Sequence, residues 1–107
     1  MERRKFVRLN VELEVEYRIL ESLKDFKITQ TEDVSEGGIR IMLPEKIEPR
    51  THLEIAIKIP NESKPVFAIG RVVWTKSDVF GGVHMTGIQL VHIKQKDRER
   101  LYKYAVL

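Results

Sequence analysis

Apolar and polar residues alternate along much of this chain with the two-residue period of a β-strand. In residues 11–19 every odd position is apolar or tyrosine, and every even position is Glu or Arg. This alternation predicts a strand with one buried face and one solvent-facing side. Further β-rich segments bring the predicted total to six strands: residues 27–34, 39–43, 53–59, 66–74 and 83–90.

The connections between these segments are short and contain glycine, proline and asparagine, which are typical turn residues. Short connections favour antiparallel neighbours, because a parallel pair needs a crossover of about a dozen residues or more. Closing the sheet into a small barrel would leave no exposed strand edge. We therefore predict an all-β fold, a six-stranded antiparallel β-barrel.

The last segment, roughly residues 94–106, has a different composition. It is rich in Lys, Arg, Glu and Gln, and Leu101, Tyr104 and Ala105 follow a helical spacing. We predict a short C-terminal helix that covers the barrel. A chain of 107 residues has the length of one domain, which we divide into an N-terminal arm (1–10), a barrel (11–92) and a helix (93–107).

The composition argues against several kinds of site. The chain has no cysteine, which excludes disulfides and thiolate metal ligands and is compatible with a reducing compartment. Its three histidines, His52, His84 and His92, stand singly without ligand spacing, so no metal site is expected. The chain starts with charged residues, and no stretch approaches the roughly 20 apolar residues that span a bilayer. We expect a soluble, cytoplasmic protein without a cofactor.

The positive charge is concentrated at the start of the chain. Arg3, Arg4, Lys5 and Arg8 against Glu2 sum to +3, which equals the formal net charge of the whole sequence. A cationic arm on a neutral body suits a compact anion better than a nucleic-acid polymer, which needs basic groups spread over a face. The arm is the first candidate site, and we expect it to be flexible without a ligand.

The second candidate site is the segment Asp-Val-Ser-Glu-Gly-Gly at residues 33–38. Asp33 and Ser35 stand two apart, so an extended backbone would point both side chains to one side. Gly37 and Gly38 allow a tight turn and a close approach of the backbone to a ligand. A carboxylate can accept from guanine N–H groups, while arginine binds guanine O6 and N7 or phosphate oxygens. A ligand with two guanines and two phosphates would occupy all of these groups.

These two segments resemble the PilZ domain family, whose signature is R-x-x-x-R followed by [D/N]-x-S-x-x-G. The matching positions are Arg4, Arg8, Asp33, Ser35 and Gly38. Residues 70–74 and 86–90 are similar to the G-x-V-x-W and G-I-x-F strands of the family, except that Leu90 stands where phenylalanine is frequent. The resemblance therefore extends over nearly the whole chain.

The resemblance implies a split-barrel fold and a bacterial receptor for cyclic di-GMP. It implies that the two motif arginines contact phosphates and guanine edges, and that the motif's Asp, Ser and Gly hold a guanine. Arg3, directly before the motif, implies two mutually intercalated ligand molecules per chain. We expect the ligand to order the arm and alter the surface that a protein partner contacts, in motility, biofilm exopolysaccharide output or virulence. The protein itself is expected to be a monomer or weak dimer.

Several alternatives remain at this stage. Trp74 follows an apolar alternation and is predicted to lie in the core or at the barrel rim, with ligand contact as the alternative. The same fold could act as a ligand-independent adaptor, although the intact motif argues against this. A single-stranded nucleic-acid binder would need a basic groove with aromatics, whereas residues 11–107 carry no net charge. Neither a catalytic triad pattern nor a P-loop is present, so we expect no enzyme.

Overall fold

The computed structural model describes residues 10–35 and 37–106. Its elements are β1 (Glu14–Ile19), β2 (Lys27–Val34), β3 (Gly38–Leu43), β4 (His52–Ile57), β5 (Val66–Ser77), β6 (His84–Ile93) and α1 (Gln95–Val106). The strands close into a barrel in the order β1-β2-β3-β6-β5-β4, and all neighbours are antiparallel. The predicted six-stranded antiparallel barrel with a short C-terminal helix is confirmed.

The barrel interior is filled by aliphatic side chains from alternate strand positions. In β3, for example, Ile39, Ile41 and Leu43 are buried, whereas Arg40 and Met42 between them are only half-buried. Each fully buried aliphatic side chain contributes about 1.5 to 3 kcal/mol relative to an exposed one. Other fully buried side chains from the remaining strands include Val15, Val34, Leu53, Ile57, Val66 and Val72.

The helix α1 packs on the barrel through Leu101, which is buried in the same core cluster. Arg100 fixes the helix to the β4–β5 connection, because its Nη2 donates to the Glu62 carboxylate at 2.7 Å and also to the carbonyl oxygen of Lys64. Within the described ranges, no helix is long and apolar enough to cross a membrane.

The first predicted strand is shorter than its alternation suggests, since β1 begins at Glu14 rather than at residue 11. The residues before it are held by Thr31 of β2. The Thr31 Oγ1 donates to the carbonyl oxygen of Val11 and accepts from the N–H of Leu13 at 2.9 Å. At the other end Ile19 is half-exposed, so the apolar face is not buried along its full length. The chain thus enters the barrel beside β2.

Candidate functional site

The acidic member of the second candidate motif is buried and ion-paired. The Asp33 side chain has an exposed fraction of 1%, and its Oδ2 accepts from Nε and Nη2 of Arg40, whose side chain is 37% exposed. A β-bulge between Thr31 and Asp33 places Asp33 opposite Arg40 on the outer face of β3. Without that extra residue Asp33 would pair with Ile39, which points into the core. The bulge therefore brings the carboxylate onto the outside of the barrel.

The turn between β2 and β3 places Ser35 and Gly38 in contact. The Ser35 backbone N–H donates to the carbonyl oxygen of Gly38 at 2.9 Å, and the Ser35 hydroxyl donates to the same oxygen at 3.3 Å. The carbonyl oxygen of Gly37 accepts from the backbone N–H of Leu90 at 3.1 Å. The turn is thereby attached to β6.

Gly38 has a packing role of its own. A Cβ atom at this position would overlap the carbonyl oxygen of Ile88 on the neighbouring strand. Any larger residue would push β3 away from β6, where Gly38 is aligned with Gln89. The glycine is thus required by strand pairing, whatever it contributes to a ligand.

Trp74 lies on the outer surface of the barrel with an exposed fraction of 39%. Of its two predicted locations, core or barrel rim, the core is wrong, because the register of β5 against β6 shifts between Val72 and Trp74. Val73 is the extra residue, and it turns Trp74 away from the side occupied by the buried Val72. The indole ring covers Gly87, since a Cβ built on Gly87 would overlap its Cδ1, Nε1 and Cε2 atoms.

The strand pairing aligns four of these residues across the outside of the barrel. Asp33 on β2 is opposite Arg40 on β3, Arg40 is opposite Gly87 on β6, and Gly87 is opposite Trp74 on β5. Neighbouring strands are about 4.8 Å apart, so the backbones of Arg40 and Trp74 are separated by roughly 10 Å. Gly87 has no side chain, and the indole of Trp74 lies over its backbone.

A second row runs beside the first one. Gly38 is opposite Gln89, and Gln89 is opposite Arg71. Nη2 of Arg71 donates to Oε1 of Gln89 at 2.9 Å, which holds the guanidinium over β6. We call the outer surface formed by both rows the candidate face; its residues are Asp33, Arg40, Gly87, Trp74, Gly38, Gln89 and Arg71.

The candidate face is cationic on balance. It carries the guanidinium groups of Arg40 and Arg71, and its acidic residue Asp33 is already ion-paired with Arg40. The exposed Lys76 follows Trp74 on the same strand. This charge suits an anion, while the half-exposed indole offers a ring face for stacking. The arrangement can therefore bind a compact molecule that combines phosphate with an aromatic base.

The predicted site residues divide into two groups. The structure brings Asp33, Ser35, Gly37, Gly38 and Trp74 to one side of the barrel. The predicted arm residues Arg3, Arg4 and Arg8 lie outside the described residues. Among the residues that the structure does describe, no cluster of His, Asp or Glu could hold a metal ion.

Four residues of the candidate face are missing from the sequence prediction: Arg40, Arg71, Gly87 and Gln89. The sequence contains a signal for Arg40, because it is the one cation in an otherwise apolar strand and follows the Gly37–Gly38 turn closely. A hairpin around that turn would bring it near Asp33. The positions of Arg71 and Gly87 depend on the pairing of β5 with β6, which local patterns do not specify.

Comparisons with known proteins agree with this architecture. The sequence model of the PilZ domain matches residues 2–106. The structure is similar to the Bacillus subtilis inhibitor of motility MotI/DgrA, with a TM-score of 0.81 and 21% identity, covering 99% of this chain and 51% of that one. It is also similar to the PilZ domain of Escherichia coli YcgR with c-di-GMP, with a TM-score of 0.74 and 10% identity, covering 98% and 90%. No curated protein matches this sequence.

The extent of the family match settles the class of protein. Because the match includes nearly every residue, the chain belongs to the PilZ domain family. This is a ligand-binding, non-catalytic family, and the comparisons indicate no enzymatic one. The chain spans about half the length of the Bacillus subtilis protein, so that similarity concerns one part of a longer molecule.

Proposed function

We propose that this PilZ domain is a receptor for cyclic di-GMP, which it binds between the N-terminal arginines and the candidate face. The observation that carries the proposal is the alignment of Asp33, Arg40, Gly87 and Trp74 across four strands. This row combines a carboxylate, a guanidinium, a glycine that lies under the indole and a half-exposed aromatic ring within the width of a dinucleotide. The YcgR PilZ domain, which shares the fold, has a structure with c-di-GMP.

The attachment of the chain at Thr31 supports the participation of the arm. Thr31 binds the backbone of Val11 and Leu13, and it lies two residues before Asp33 on β2. An extended chain spans at most about 3.6 Å per residue, so Arg8 can reach roughly 11 Å from Val11 and Arg4 roughly 25 Å. Both distances allow their guanidinium groups to reach a ligand on the candidate face.

The roles that we assign follow from the chemistry of each group. Asp33 and Ser35 lie at the corner where a guanine edge can be held, and carboxylates accept from guanine N1–H and N2–H. Arg4 and Arg8 bind phosphates and guanine edges, because a guanidinium matches both in a bidentate way. Trp74 stacks on a base. Arg3 adds a further cation, which supports two intercalated ligand molecules per chain.

Binding is proposed to act as an order-disorder switch. Ordering each residue of the arm costs roughly 1 to 2 kcal/mol of backbone entropy, which several charge-assisted hydrogen bonds of about 1.5 to 3 kcal/mol can offset. The ordered arm then presents a changed surface to a protein partner. The similarity to a motility inhibitor favours motility as the process under control. A cysteine-free chain fits the reducing bacterial cytoplasm, where we place this receptor.

Titration calorimetry on the full chain tests this function. Cyclic di-GMP, cyclic di-AMP, GTP and a short oligonucleotide are compared, and cyclic di-GMP alone should give a saturable isotherm. A stoichiometry of two would support the intercalated pair, and a stoichiometry of one would reject that part of the proposal. Equal binding of the oligonucleotide would instead favour a nucleic-acid protein, and no binding of any nucleotide would favour a ligand-independent adaptor.

A further inference from the structure

The turn that connects β5 and β6 carries two adjacent apolar side chains that face solvent. Val79 has an exposed fraction of 92% and Phe80 one of 91%. Asp78 holds this turn through two hydrogen bonds. Its backbone carbonyl oxygen accepts from the Gly81 N–H at 3.1 Å, and its side-chain Oδ1 accepts from the Gly82 N–H at 2.9 Å. We call this pair of side chains the tip. A rigid turn that presents two adjacent apolar side chains is typical of an interaction site.

An apolar groove of about 670 Å³ lies on the outer surface near the other end of the same strands. Its apolar lining includes Phe26, Ala56, Phe67, Ile69 and Ile93. Phe67, which lines this groove, has an exposed fraction of 63%. The volume is within the range of pockets that hold small molecules, so the groove can accept one aromatic and one aliphatic side chain.

One wall of the groove is held in place by stacked and paired groups. The guanidinium of Arg18 lies 4.3 Å from the ring centre of Phe26. Its Nε donates to the carboxylate of Glu54 at 2.8 Å. Lys94 lies at the edge of the groove, and its charge is opposite to that of Asp78 at the base of the tip. The wall of the groove is therefore held in place, and the positive charge of Lys94 is complementary to the negative charge of Asp78.

The tip of a molecule cannot reach the groove of the same molecule. Phe80 and Ile69 are eleven residues apart along β5 and its turn, which spans at most roughly 35 Å because bulges bend the strand. The longest dimension of the whole domain is 37 Å. The tip and the groove thus lie near opposite ends of the β5–β6 hairpin, and the occupant of the groove must come from another molecule.

We propose that two copies of this chain associate by placing the tip of each in the groove of the other. A two-fold axis across the middle of the hairpins sets them antiparallel, so both tips and both grooves are used and the assembly closes as a dimer. Aromatic side chains bury roughly 150 to 250 Å² each, so two occupied grooves would cover on the order of 1,200 Å² over both partners. This area is at the lower limit for specific interfaces, and the expected dimer is weak. The inference does not rest on nucleotide binding, but the axis crosses the outer surface of β5 and β6, so the dimer covers Trp74 and Gly87 of the candidate face.

Sedimentation velocity on the full chain without nucleotide tests the dimer, over concentrations that span micromolar to millimolar dissociation constants. The wild type should pass from monomer to dimer and form nothing larger. Phe80→Ser at the tip and Phe67→Ser in the groove should each weaken dimerisation about tenfold or more. Both side chains are exposed, and circular dichroism verifies that the variants remain folded. Ile28→Thr removes an exposed apolar side chain from β2, outside tip and groove, and should leave dimerisation unchanged.

A mixing experiment tests the reciprocal geometry. Each variant alone loses both contacts of its own dimer, whereas a heterodimer of Phe80→Ser with Phe67→Ser keeps one intact tip in one intact groove. The equimolar mixture should therefore associate more strongly than either variant by itself. A wild type that stays monomeric throughout, a wild type that forms larger assemblies, a Phe67→Ser variant that dimerises normally, or a mixture no stronger than its components would each overturn the proposal.

Discussion

The indole ring of Trp74 occupies the space above Gly87 in which any other residue would place its Cβ. Trp74 is the single tryptophan of the chain, so its emission reports on this contact alone. The contact matters for function because Gly87 separates Trp74 from Arg40 on the candidate face. The Trp74 ring, which we propose stacks on a base, can lie there because Gly87 on the neighbouring strand has no side chain.

Gly87→Ala should displace the indole and weaken ligand binding. The added methyl group overlaps the ring, and overpacking of this kind lowers the free energy of unfolding by about 1 to 3 kcal/mol. We expect a shifted emission spectrum and a lower affinity for cyclic di-GMP, both measured in one fluorescence titration. The control is Gly82→Ala, since no atom lies within 4 Å of a Cβ at that exposed turn position. An unchanged spectrum and affinity in Gly87→Ala would contradict the assigned contact.

The pair formed by Asp33 and Arg40 should contribute to stability before any ligand binds. Removing Arg40 deprives a buried carboxylate of a cationic partner, which is costly, whereas removing both charges costs less than the sum. A double-mutant cycle of Asp33→Asn and Arg40→Ala, followed by urea unfolding, should give a coupling energy of about 1 to 3 kcal/mol. The exposed pair of Glu14 and Lys58 should give a smaller coupling energy in the same experiment. Equal coupling in both pairs would show that burial has no effect here.

The arm arginines should act as hot spots of ligand binding. Arg4→Ala or Arg8→Ala is expected to weaken cyclic di-GMP binding by roughly 2 to 4 kcal/mol in titration calorimetry. Neither substitution should change the urea midpoint by much, because aliphatic side chains of the described residues build the core. Lys96→Ala removes one exposed positive charge from α1 and serves as the control for net charge. Wild-type affinity in both arginine variants would remove the arm from the binding site.

Tyr17 should make the stability fall at high pH. Burial, followed by the charge of Glu45 and the hydrogen bond to it, raises the pKa of Tyr17 from 10.0 to about 12. The hydroxyl donates to Oε1 of Glu45 at 3.3 Å. Between these two pKa values the unfolded chain loses its proton first, so the free energy of unfolding decreases as the pH rises through this interval. Below the lower value this contribution stays constant.

Urea unfolding at several alkaline pH values compares the wild type with Tyr17→Phe. The variant should lose part of the decline between the two pKa values, because it has no proton to release at this position. Tyr102→Phe, at a half-buried helix position, is the matched control for the loss of a phenol hydroxyl. Identical slopes for Tyr17→Phe and the wild type would contradict the raised pKa.

The sequence specifies most of the fold because the signal is local. Alternation with period two identifies the first and fourth strands, β-rich composition identifies the other four, and glycine and proline mark the connections between them. The single helix follows from a change of period near residue 94. What alternation misses is each bulge, since one extra residue reverses the direction of every side chain that follows.

The candidate site shows this limit in two residues. Trp74 continues the alternation of Val72 and therefore looks like a core residue, but the bulge at Val73 turns it outward. Asp33 reaches Arg40 through the bulge before it. The motif residues themselves carry their signal in residue type and spacing. That they lie on one face of the barrel follows from the pairing register of β2, β3, β6 and β5, which the sequence does not specify.

The most direct measurement of the central claim is an NMR titration of the full chain with cyclic di-GMP. The account predicts that the indole N–H of Trp74 and the backbone amides of Ser35, Gly38 and Arg40 shift together and saturate. Spectra that do not change at saturating ligand, or shifts confined to residues away from the candidate face, would contradict it.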